Sequence, residues 1–327
     1  MVSSKTEEQN WEASILATYA IEPERRTLHG SFSREFSPVL TIDSGDTVRY
    51  RTLDAGWGME PLVALEMPRQ TFIPRDDERD GGHALCGPVA IRGARPGMTL
   101  EVQINDIRPG AFGLTIAGPR ERDGEDNRRL GIEHGTLLAW TLDANSMVGR
   151  DQRGHTLALR PFMGVMGMPP DEPGIHPTFP PRFCGGNMDC KELVAGSTLY
   201  LPIPVPGALF SVGDGHAAQG DGEVCGVAIE CPMELVDLTF RLRDDVRLTT
   251  PRANTPAGWV ALGFHEDLNE ATVLALIAML DLMTELYGLS RPDALALASL
   301  VVDFRITQVV NGVRGVHALL PHGAIRN

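Results

Sequence analysis

Residues 43–52 read DSGDTVRYRT, in which a turn at 43–46 is followed by alternating apolar and polar residues. This alternation is typical of a half-buried β-strand. Further strand candidates lie on either side, at residues 38–42, 88–91 and 99–104. The 35 glycines and 24 prolines make up about 18% of the 327 residues, where ~12% is usual. Because these residues form turns, the sequence predicts many short strands and a predominantly β protein.

Helical patterns are confined to the last quarter of the chain. Residues 269–287 are rich in alanine, leucine and methionine, and Gly288 is a suitable helix stop. Ser290, with an acidic residue three positions later, predicts the N-cap of a second helix that ends near residue 302. Residues 304–310 then predict a returning strand. The fold class is therefore α+β, predominantly β, with a C-terminal helix pair.

Shifts in composition divide the chain into four predicted segments. They are an N-terminal extension (1–28), a β-rich N-terminal domain (29–160), a β-rich segment that holds the candidate site (161–250) and a C-terminal α+β part (251–327). Within the third segment, residues 161–186 are rich in proline and glycine. This richness predicts irregular chain that crosses a surface or lines a cleft.

The net charge restricts the partners of this protein. With 29 basic and 43 acidic residues, the formal charge is −14 at pH 7. A chain of that sign is repelled by phosphate backbones and anionic lipids, so neither nucleic acid nor a membrane is an expected partner. The first ten residues are polar, and the apolar run at 273–280 is far shorter than the ~20 residues of a membrane span. We therefore expect a cytoplasmic protein.

The five cysteines are an odd number and include no C-x-x-C pair. This pattern predicts free thiols in a reducing compartment and argues against a structural zinc cluster. Asp189 lies beside Cys190 and Glu223 lies close to Cys225. Neighbouring carboxylates raise the pKa of a thiol, which disfavours a cysteine nucleophile. We expect most of the cysteines to be small core residues.

The densest signal for chemistry is the glycine-rich segment GDGHAAQGDGEVCG at residues 213–226. Its carboxylates repel phosphate, and it lacks the Lys-Ser/Thr ending of a phosphate-binding loop. Asp214 and His216 are two residues apart, so in extended chain they point to one side. A carboxylate and an imidazole are ordinary ligands of zinc. The segment therefore predicts a cation site, the alternative being a set of solvated turns.

Two further segments carry candidate residues. GGNMDC at residues 185–190 places Asn187 and Asp189 after two glycines that let the chain bend towards a shared point. His83 lies in another glycine-rich stretch and is either a metal ligand or proton carrier, or a residue of a capped turn. Asp189 is likewise either part of the site or a turn cap.

Four stretches of this sequence resemble the acetamidase/formamidase family. They are PVLTIDSGDTVRYRTLDAGWG (38–58), GHALCGPVAIRGARPGMTLEVQINDI (82–107), PRFCGGNMDCKELVAGSTLYLPIPVPGALFSVGDGHAAQGDGEVCGVAIE (181–230) and DFRITQVVNGVRGVHALLP (303–321). The resemblance implies β-sandwich or barrel units with a C-terminal helix pair. It also implies a divalent metal site and hydrolysis of small carboxamides, of the formamide or acetamide type, to a carboxylate and ammonia.

Roles for the candidate residues follow as a hypothesis. Asp214 and His216 are expected metal ligands, with His83 as a tentative third, and the metal is zinc, with calcium or magnesium as alternatives. Glu223 is the expected general base, and Asp189 and Glu223 can exchange the roles of base and ligand. Asn187 and Gln219 are candidates to bind the substrate amide or the oxyanion. Candidates to line a substrate pocket are Trp57, Phe162, Met163, Met166 and Phe183.

Other interpretations of the same residues stay open at this point. A closed site of oxygen ligands around calcium or magnesium would indicate a metal-containing small-molecule binding protein. A hydrolase of another linear or cyclic C–N bond would use the same machinery. A β-rich chain with sheet edges to cover is also expected to self-associate, as a dimer or a higher homo-oligomer.

Overall fold

A computed structural model describes residues 16–118 and 128–326 of the chain. Its strands, in chain order, are β1 (Thr18–Ile21), β2 (Leu28–His29), β3 (Ser31–Phe32), β4 (Leu40–Ile42), β5 (Thr47–Tyr50), β6 (Leu85–Ile91), β7 (Thr99–Pro109), β8 (Phe112–Ala117), β9 (Thr136–Asp143), β10 (Val148–Asp151), β11 (Thr156–Ala158), β12 (Phe162–Gly167), β13 (His176–Pro177), β14 (Gly185–Asn187), β15 (Thr198–Pro202), β16 (Phe210–His216), β17 (Met233–Arg243), β18 (Arg252–Thr255), β19 (Gly258–His265), β20 (Asp303–Gln308) and β21 (Arg314–Pro321). Two helices near the C-terminus of this described chain are α1 (Leu268–Tyr287) and α2 (Arg291–Val301). The predicted α+β, mainly β class is confirmed.

A nine-stranded sheet forms the larger side of the protein, in the order β1-β5-β17-β7-β15-β18-β19-β21-β20. Its centre is the long antiparallel pair β7 and β17. All four predicted sequence segments contribute strands to this sheet, and β1 from the predicted N-terminal extension pairs with β5. The division of the chain into four segments therefore stays a prediction, and most of the predicted N-terminal extension lies outside the described residues.

Two smaller sheets face the site. One has the order β14-β12-β16-β6-β2, with β4 also paired to β6, and the other has the order β11-β10-β9-β8. Isolated bridges from Glu230 to Leu114 and to His216 connect β8 with β16. Within the described residues none of the sheets closes into a barrel, so of the two implied alternatives the packed open sheets exclude the barrel and agree with the sandwich.

The main core lies between the large sheet and the sheet that contains β16. Phe210 of β16 packs edge-on against Phe240 of β17, with ring centroids 5.0 Å apart, and both are fully buried. A second core lies under the helices, where a Cβ at Gly263 would be 2.2 Å from the carbonyl oxygen of Ala271. Helix α1 therefore packs directly on the backbone of β19, while the first core supports the strands of the site.

The helix predictions are confirmed to within one residue. Asp267 caps α1 by accepting hydrogen bonds from the first turn, and Gly288, with a φ of +65°, ends it. Ser290 caps α2 and accepts a hydrogen bond from the amide of Asp293. No single helix of the described chain is long and apolar enough to span a bilayer; the two together have that length and composition, across a 107° bend.

The prediction of irregular chain at 161–186 is wrong for its first part, because β12 is a fully buried strand. The glycines of this strand do not mark turns. A Cβ at Gly164 would lie 2.4 Å from Asp214 Oδ2 and 2.7 Å from Asp189 Oδ1. Gly164 is therefore needed because two carboxylates approach its backbone closely. The strand that the composition obscured forms one side of the candidate site.

Candidate active site

Strand β16 places two of the expected metal ligands next to each other. Asp214 Oδ1 lies 3.3 Å from His216 Nε2, and both side chains are almost completely buried. The spacing of two residues predicted this proximity. The strand is fixed on both sides, by β12 and by β6, so the two side chains are held by the sheet rather than by a mobile loop.

Glu230 is a third member of the cluster that sequence reasoning missed. Its Oε2 atom lies 3.3 Å from His216 Nε2. Glu230 exchanges backbone hydrogen bonds of 2.9 Å with Leu114, which fixes it between β8 and β16. The available signal was a single carboxylate within the apolar stretch VAIEC at residues 227–231, because a charge in a buried strand needs a specific partner.

Gln219 orients the imidazole of His216. Nδ1 of His216 lies 2.8 Å from Gln219 Oε1, and Gln219 Nε2 donates a 2.9 Å hydrogen bond to the carbonyl oxygen of Asp189. Because an amide oxygen only accepts, Nδ1 carries a proton, and Nε2 faces the two carboxylates. Both polar atoms of Gln219 are thus engaged, so the geometry favours a positioning role over the expected contact with substrate.

A second pair of carboxylates lies close to the imidazole. One oxygen of Asp189, one of Glu223 and a ring nitrogen of His216 lie within 4.8 Å of one another. Asp189 Oδ2 accepts a 2.8 Å hydrogen bond from Asn311 Nδ2. Asn311, which sequence reasoning also missed, comes from the turn between β20 and β21.

The backbone is strained at three of these carboxylates. Asp189, Asp214 and Glu223 have φ values of +49°, +59° and +45°, in the left-handed region that residues other than glycine rarely adopt. Strain of about 1–3 kcal/mol per residue persists only where the surroundings impose it, and such residues concentrate at functional sites. The three predicted carboxylates therefore share a feature that marks them as a site.

The electrostatics of the cluster show an excess of negative charge. Burial raises the pKa of Glu223 to about 8, and the charges of Glu230 and Asp214 act in the same direction, against His216. Burial and the charge of Glu223 likewise hold the pKa of Asp189 well above its usual range. Burial alone would lower the pKa of His216, but Glu230 and Asp214 outweigh it and raise that pKa.

The donor set fits a divalent cation. Asp189 Oδ1, Asn187 Oδ1 and Glu223 Oε2 are buried without a hydrogen-bond partner in the described part of the chain. These acceptors, like Glu230 Oε2, have no hydrogen-bond donor among the described residues, and a cation can be their partner. Imidazole nitrogen plus carboxylate oxygen is a ligand set that suits zinc, whereas a calcium or magnesium site is normally built of oxygens alone.

A cavity of about 250 Å³ opens beside the cluster. His83, Asn187, Asp214, Glu223, Glu230 and Asn311 contribute to its polar lining. Asn187 Nδ2 donates to the carbonyl oxygen of Phe179, so its free Oδ1 is an acceptor. Nδ1 of His83 lies 2.8 Å from the Thr178 hydroxyl. His83 lies in neither group of three closely spaced ligand atoms among the described residues, so its role as a third ligand stays a prediction.

Two other expectations are resolved by the structure. The cavity lining includes none of the predicted apolar residues: Trp57, Phe162, Met163 and Met166 are buried in the core, and Phe183 lines a separate depression near α1. The four buried candidates pack in the core and therefore do not reach the cavity. None of the five cysteines forms a disulfide bond within the described residues, and burial raises the pKa of Cys86, Cys184 and Cys190 to about 12. Four of the five are buried core thiols, as predicted for most of them, and Cys225 is partly exposed.

A profile of the acetamidase/formamidase family matches residues 17–176 and 173–256 of the chain. A formamidase from Methylophilus methylotrophus is 53% identical over 256 residues, covering 62% of this chain and 61% of that protein. An acetamidase from Mycolicibacterium smegmatis is 30% identical over 214 residues, covering 48% of this chain and 52% of that protein. The matches thus span about half to three-fifths of these curated relatives.

Solved structures extend the similarity to nearly the whole chain. The crystal structure of an acetamidase from Bacillus halodurans superimposes with a TM-score of 0.79 at 28% sequence identity. The superposition covers 92% of this chain and 97% of that one. The fold that positions Asp189, Asp214, His216 and Glu230 is therefore shared with that enzyme.

Proposed function

The chain belongs to the acetamidase/formamidase family, and on that premise we propose that it is a metal-dependent amidohydrolase that cleaves small amides to a carboxylate and ammonia. The observation that carries the proposal is the convergence of the Asp214 and Glu230 carboxylates, both in the lining of a cavity, on His216 Nε2. The family relatives named for formamide and acetamide supply the reaction class.

Asp214, His216 and Glu230 are the residues that would hold the cation, expected to be zinc. Such a cation lowers the pKa of a water molecule and polarises an amide carbonyl. With the cation bound, His216 would offer Nε2 of a neutral imidazole, because Gln219 holds the remaining proton on Nδ1. The histidine in this set favours a catalytic site over the alternative of a structural calcium or magnesium site in a binding protein.

The remaining residues bind the substrate and move protons. Asn187 Oδ1 accepts a hydrogen bond from the amide N–H of the substrate, which orients the carbonyl towards the acidic cluster. Glu223 takes a proton from the attacking water at Oε2 and returns it to the leaving nitrogen, so that ammonia departs. Asp189 supports the base from the opposite side. The Thr178 hydroxyl can donate to His83 Nδ1, which leaves the other ring nitrogen to donate to the substrate oxygen.

The test is ammonia release from a panel of amides by the protein as isolated, after chelation and after zinc is added back. We expect release that disappears with the chelator and returns with zinc. Release that is indifferent to chelation would overturn the metal dependence, and activity lost on thiol alkylation would indicate a cysteine enzyme instead. Absence of release from every amide, with metal bound, would overturn the amidase proposal.

Self-association in the cytoplasm is part of the same proposal. Strand β20 ends the nine-stranded sheet, and its Phe304 and Ile306 side chains are about 40% exposed. An exposed edge strand with apolar side chains is a common site of pairing between chains. Light scattering on the eluting protein is expected to give at least twice the monomer mass of 35.5 kDa.

A further inference from the structure

The lining of the candidate cavity contains two chemically different groups of residues. One group is polar and includes the acidic residues and Asn187; the other, here called the apolar wall, consists of Leu62, Leu114, Ile116, Phe179 and Val227. The reaction uses the first group and leaves the second without a role. An apolar lining beside a few fixed polar atoms is the usual construction of a site that binds the apolar part of a ligand.

The apolar wall adjoins the reacting centre. Leu114 and Ile116 are two residues apart on β8, so both point to the same side of that strand. The backbone of Leu114 is bonded in both directions to Glu230, and the Thr115 hydroxyl donates a 2.6 Å hydrogen bond to the carbonyl oxygen of Ala228. An acyl group attached to a carbonyl at the cluster therefore reaches this wall directly.

The volume of the cavity exceeds what formamide or acetamide needs. If each non-hydrogen atom of a small molecule takes roughly the ~30 Å³ of a water molecule in the liquid, about 250 Å³ holds about eight such atoms. The carboxamide group uses three of them. The remaining space corresponds to about five carbons, whereas acetamide has one carbon beyond its carboxamide group.

The charges in the cavity exclude an ionised acyl group. Arg69 is the cation of the lining, and both its terminal nitrogens are bound to Asp54, at 2.5 and 3.0 Å. Cβ atoms at Gly56 or Gly58 would collide with the Arg69 side chain. The two glycines therefore leave the space that the ion pair between Arg69 and Asp54 needs. A neutralised arginine offers little attraction for a carboxylate, and the acidic residues of the lining repel one.

We propose that the substrate is an uncharged primary carboxamide whose apolar acyl group has four to six carbons, and that Leu114 and Ile116 determine this preference. The inference rests on the proposed function, because it assigns the acyl side of the same reaction. The ammonia leaves from the side of Asn187, and the hydrocarbon chain is buried against the apolar wall. Each methylene buried there should raise kcat/KM by about threefold to fourfold.

The test is kcat/KM for ammonia release along the series from formamide to octanamide, with succinamate as an anionic analogue of pentanamide. We expect kcat/KM to rise from acetamide to a maximum between butanamide and hexanamide and to fall at octanamide. Succinamate should be at least tenfold poorer than pentanamide. A maximum at formamide or acetamide would overturn this inference and leave the amidase proposal intact, whereas no release from any amide would overturn both.

Variants of the apolar wall separate it from the rest of the site. Ile116→Trp should reduce kcat/KM for hexanamide at least tenfold more than for formamide, because the indole occupies the acyl space. Ile116→Ala should move the maximum to a longer acyl chain, which keeps the test informative if the larger side chain disturbs folding. Leu300→Trp, on the exposed face of α2, is the matched control and should leave the profile unchanged. An unaltered profile in both Ile116 variants would overturn the assignment.

Discussion

Asp189 and Glu192 are three residues apart and both buried, yet their surroundings are opposite. Glu192 accepts hydrogen bonds of 2.6 Å from Arg160 and 3.2 Å from Arg305. Burial opposes its ionisation, but the hydrogen bond and charge of Arg160 outweigh burial and lower its pKa. Asp189 receives its side-chain hydrogen bond from the neutral amide of Asn311, and burial together with neighbouring carboxylates raises its pKa.

The difference separates a structural charge from a functional one. A buried ion without a partner costs several kcal/mol, so a chain that needs a carboxylate for structure supplies its own cation. At Glu192 the cations are two arginines. Around His216 the chain assembles carboxylates without an arginine between them; the imidazole meets part of their charge, and the proposed cation would meet the rest. Each prediction below tests one side of this contrast.

The largest expected effect is on catalysis at the functional side. Glu223→Gln keeps the shape of the side chain but removes its ability to carry a proton, so ammonia release should fall by about 10²–10⁴-fold. Glu192→Gln is the matched control, because it makes the same change at the arginine-paired carboxylate, and it should cost less than tenfold. Steady-state rates on the preferred amide measure both. Glu223→Gln at wild-type turnover would remove Glu223 from the mechanism.

The second expected effect is on the pH dependence of stability in chelated protein. The pKa of Glu223 is about 8 in the folded state and about 4.3 unfolded. The folded state therefore binds the proton more tightly, and this stability is present below the unfolded pKa and lost as pH rises to 8. Glu223→Gln should raise the free energy of unfolding by about 3 kcal/mol more at pH 8 than at pH 5.

Urea unfolding of chelated wild type and Glu223→Gln at the two pH values measures this difference. The buried histidines His29 and His317, whose pKa shifts do not arise from Glu223, titrate in both proteins and cancel in the comparison. Saturating zinc should reduce the difference, because a bound cation supplies the charge that the proton otherwise provides. If the free energy of unfolding changed equally between pH 5 and pH 8 in the two chelated proteins, the negative charge of Glu223 would not be unfavourable in the folded state. Glu223 would then not differ from Glu192 in the way described above.

The third effect is a loss of stability at the structural side. Glu192→Gln leaves Arg160 and Arg305 without their carboxylate and should lower the free energy of unfolding at pH 7 by about 2 kcal/mol, the partial exposure of both arginines reducing the cost. Because the folded pKa of Glu192 is lowered, this contribution is lost as pH falls below the unfolded pKa. Asp171→Asn, at the exposed pair with Arg34, should cost under about 0.5 kcal/mol.

Local sequence signals predicted the helices and part of the site for a physical reason. The caps at Ser290 and Gly288 act within one turn of chain, so their residue types are readable without knowledge of the fold. Asp214 and His216 were readable for the same reason, because a spacing of two in extended chain fixes their relative direction.

Contacts between segments that are distant in the chain could not be predicted from the sequence. Asn311 reaches Asp189 across 122 positions, and Glu230 is aligned with His216 by a bridge between separate sheets. The strand β12 was taken for irregular chain because a glycine required by a close approach looks the same in sequence as a glycine required by a turn. The prediction of the residues that line the pocket was wrong for a similar reason, since large apolar side chains pack in the core wherever sheets face each other.

The smallest expected effect tests the amide that Asp189 has in place of an arginine. Asn311→Leu removes the donor to Asp189 Oδ2 at similar volume, and kcat should fall about tenfold, with a smaller change in KM and unchanged zinc content. Asn311→Asp places a second acceptor there and should cost more than Asn311→Leu, because like charges then meet. Val309→Ala in the same turn is the control, since the hydrogen bond of Val309 to Gly222 is made by its backbone. If Asn311→Asp were as active as the wild type, Asp189 would not need a neutral donor, and its difference from Glu192 would lie in burial alone.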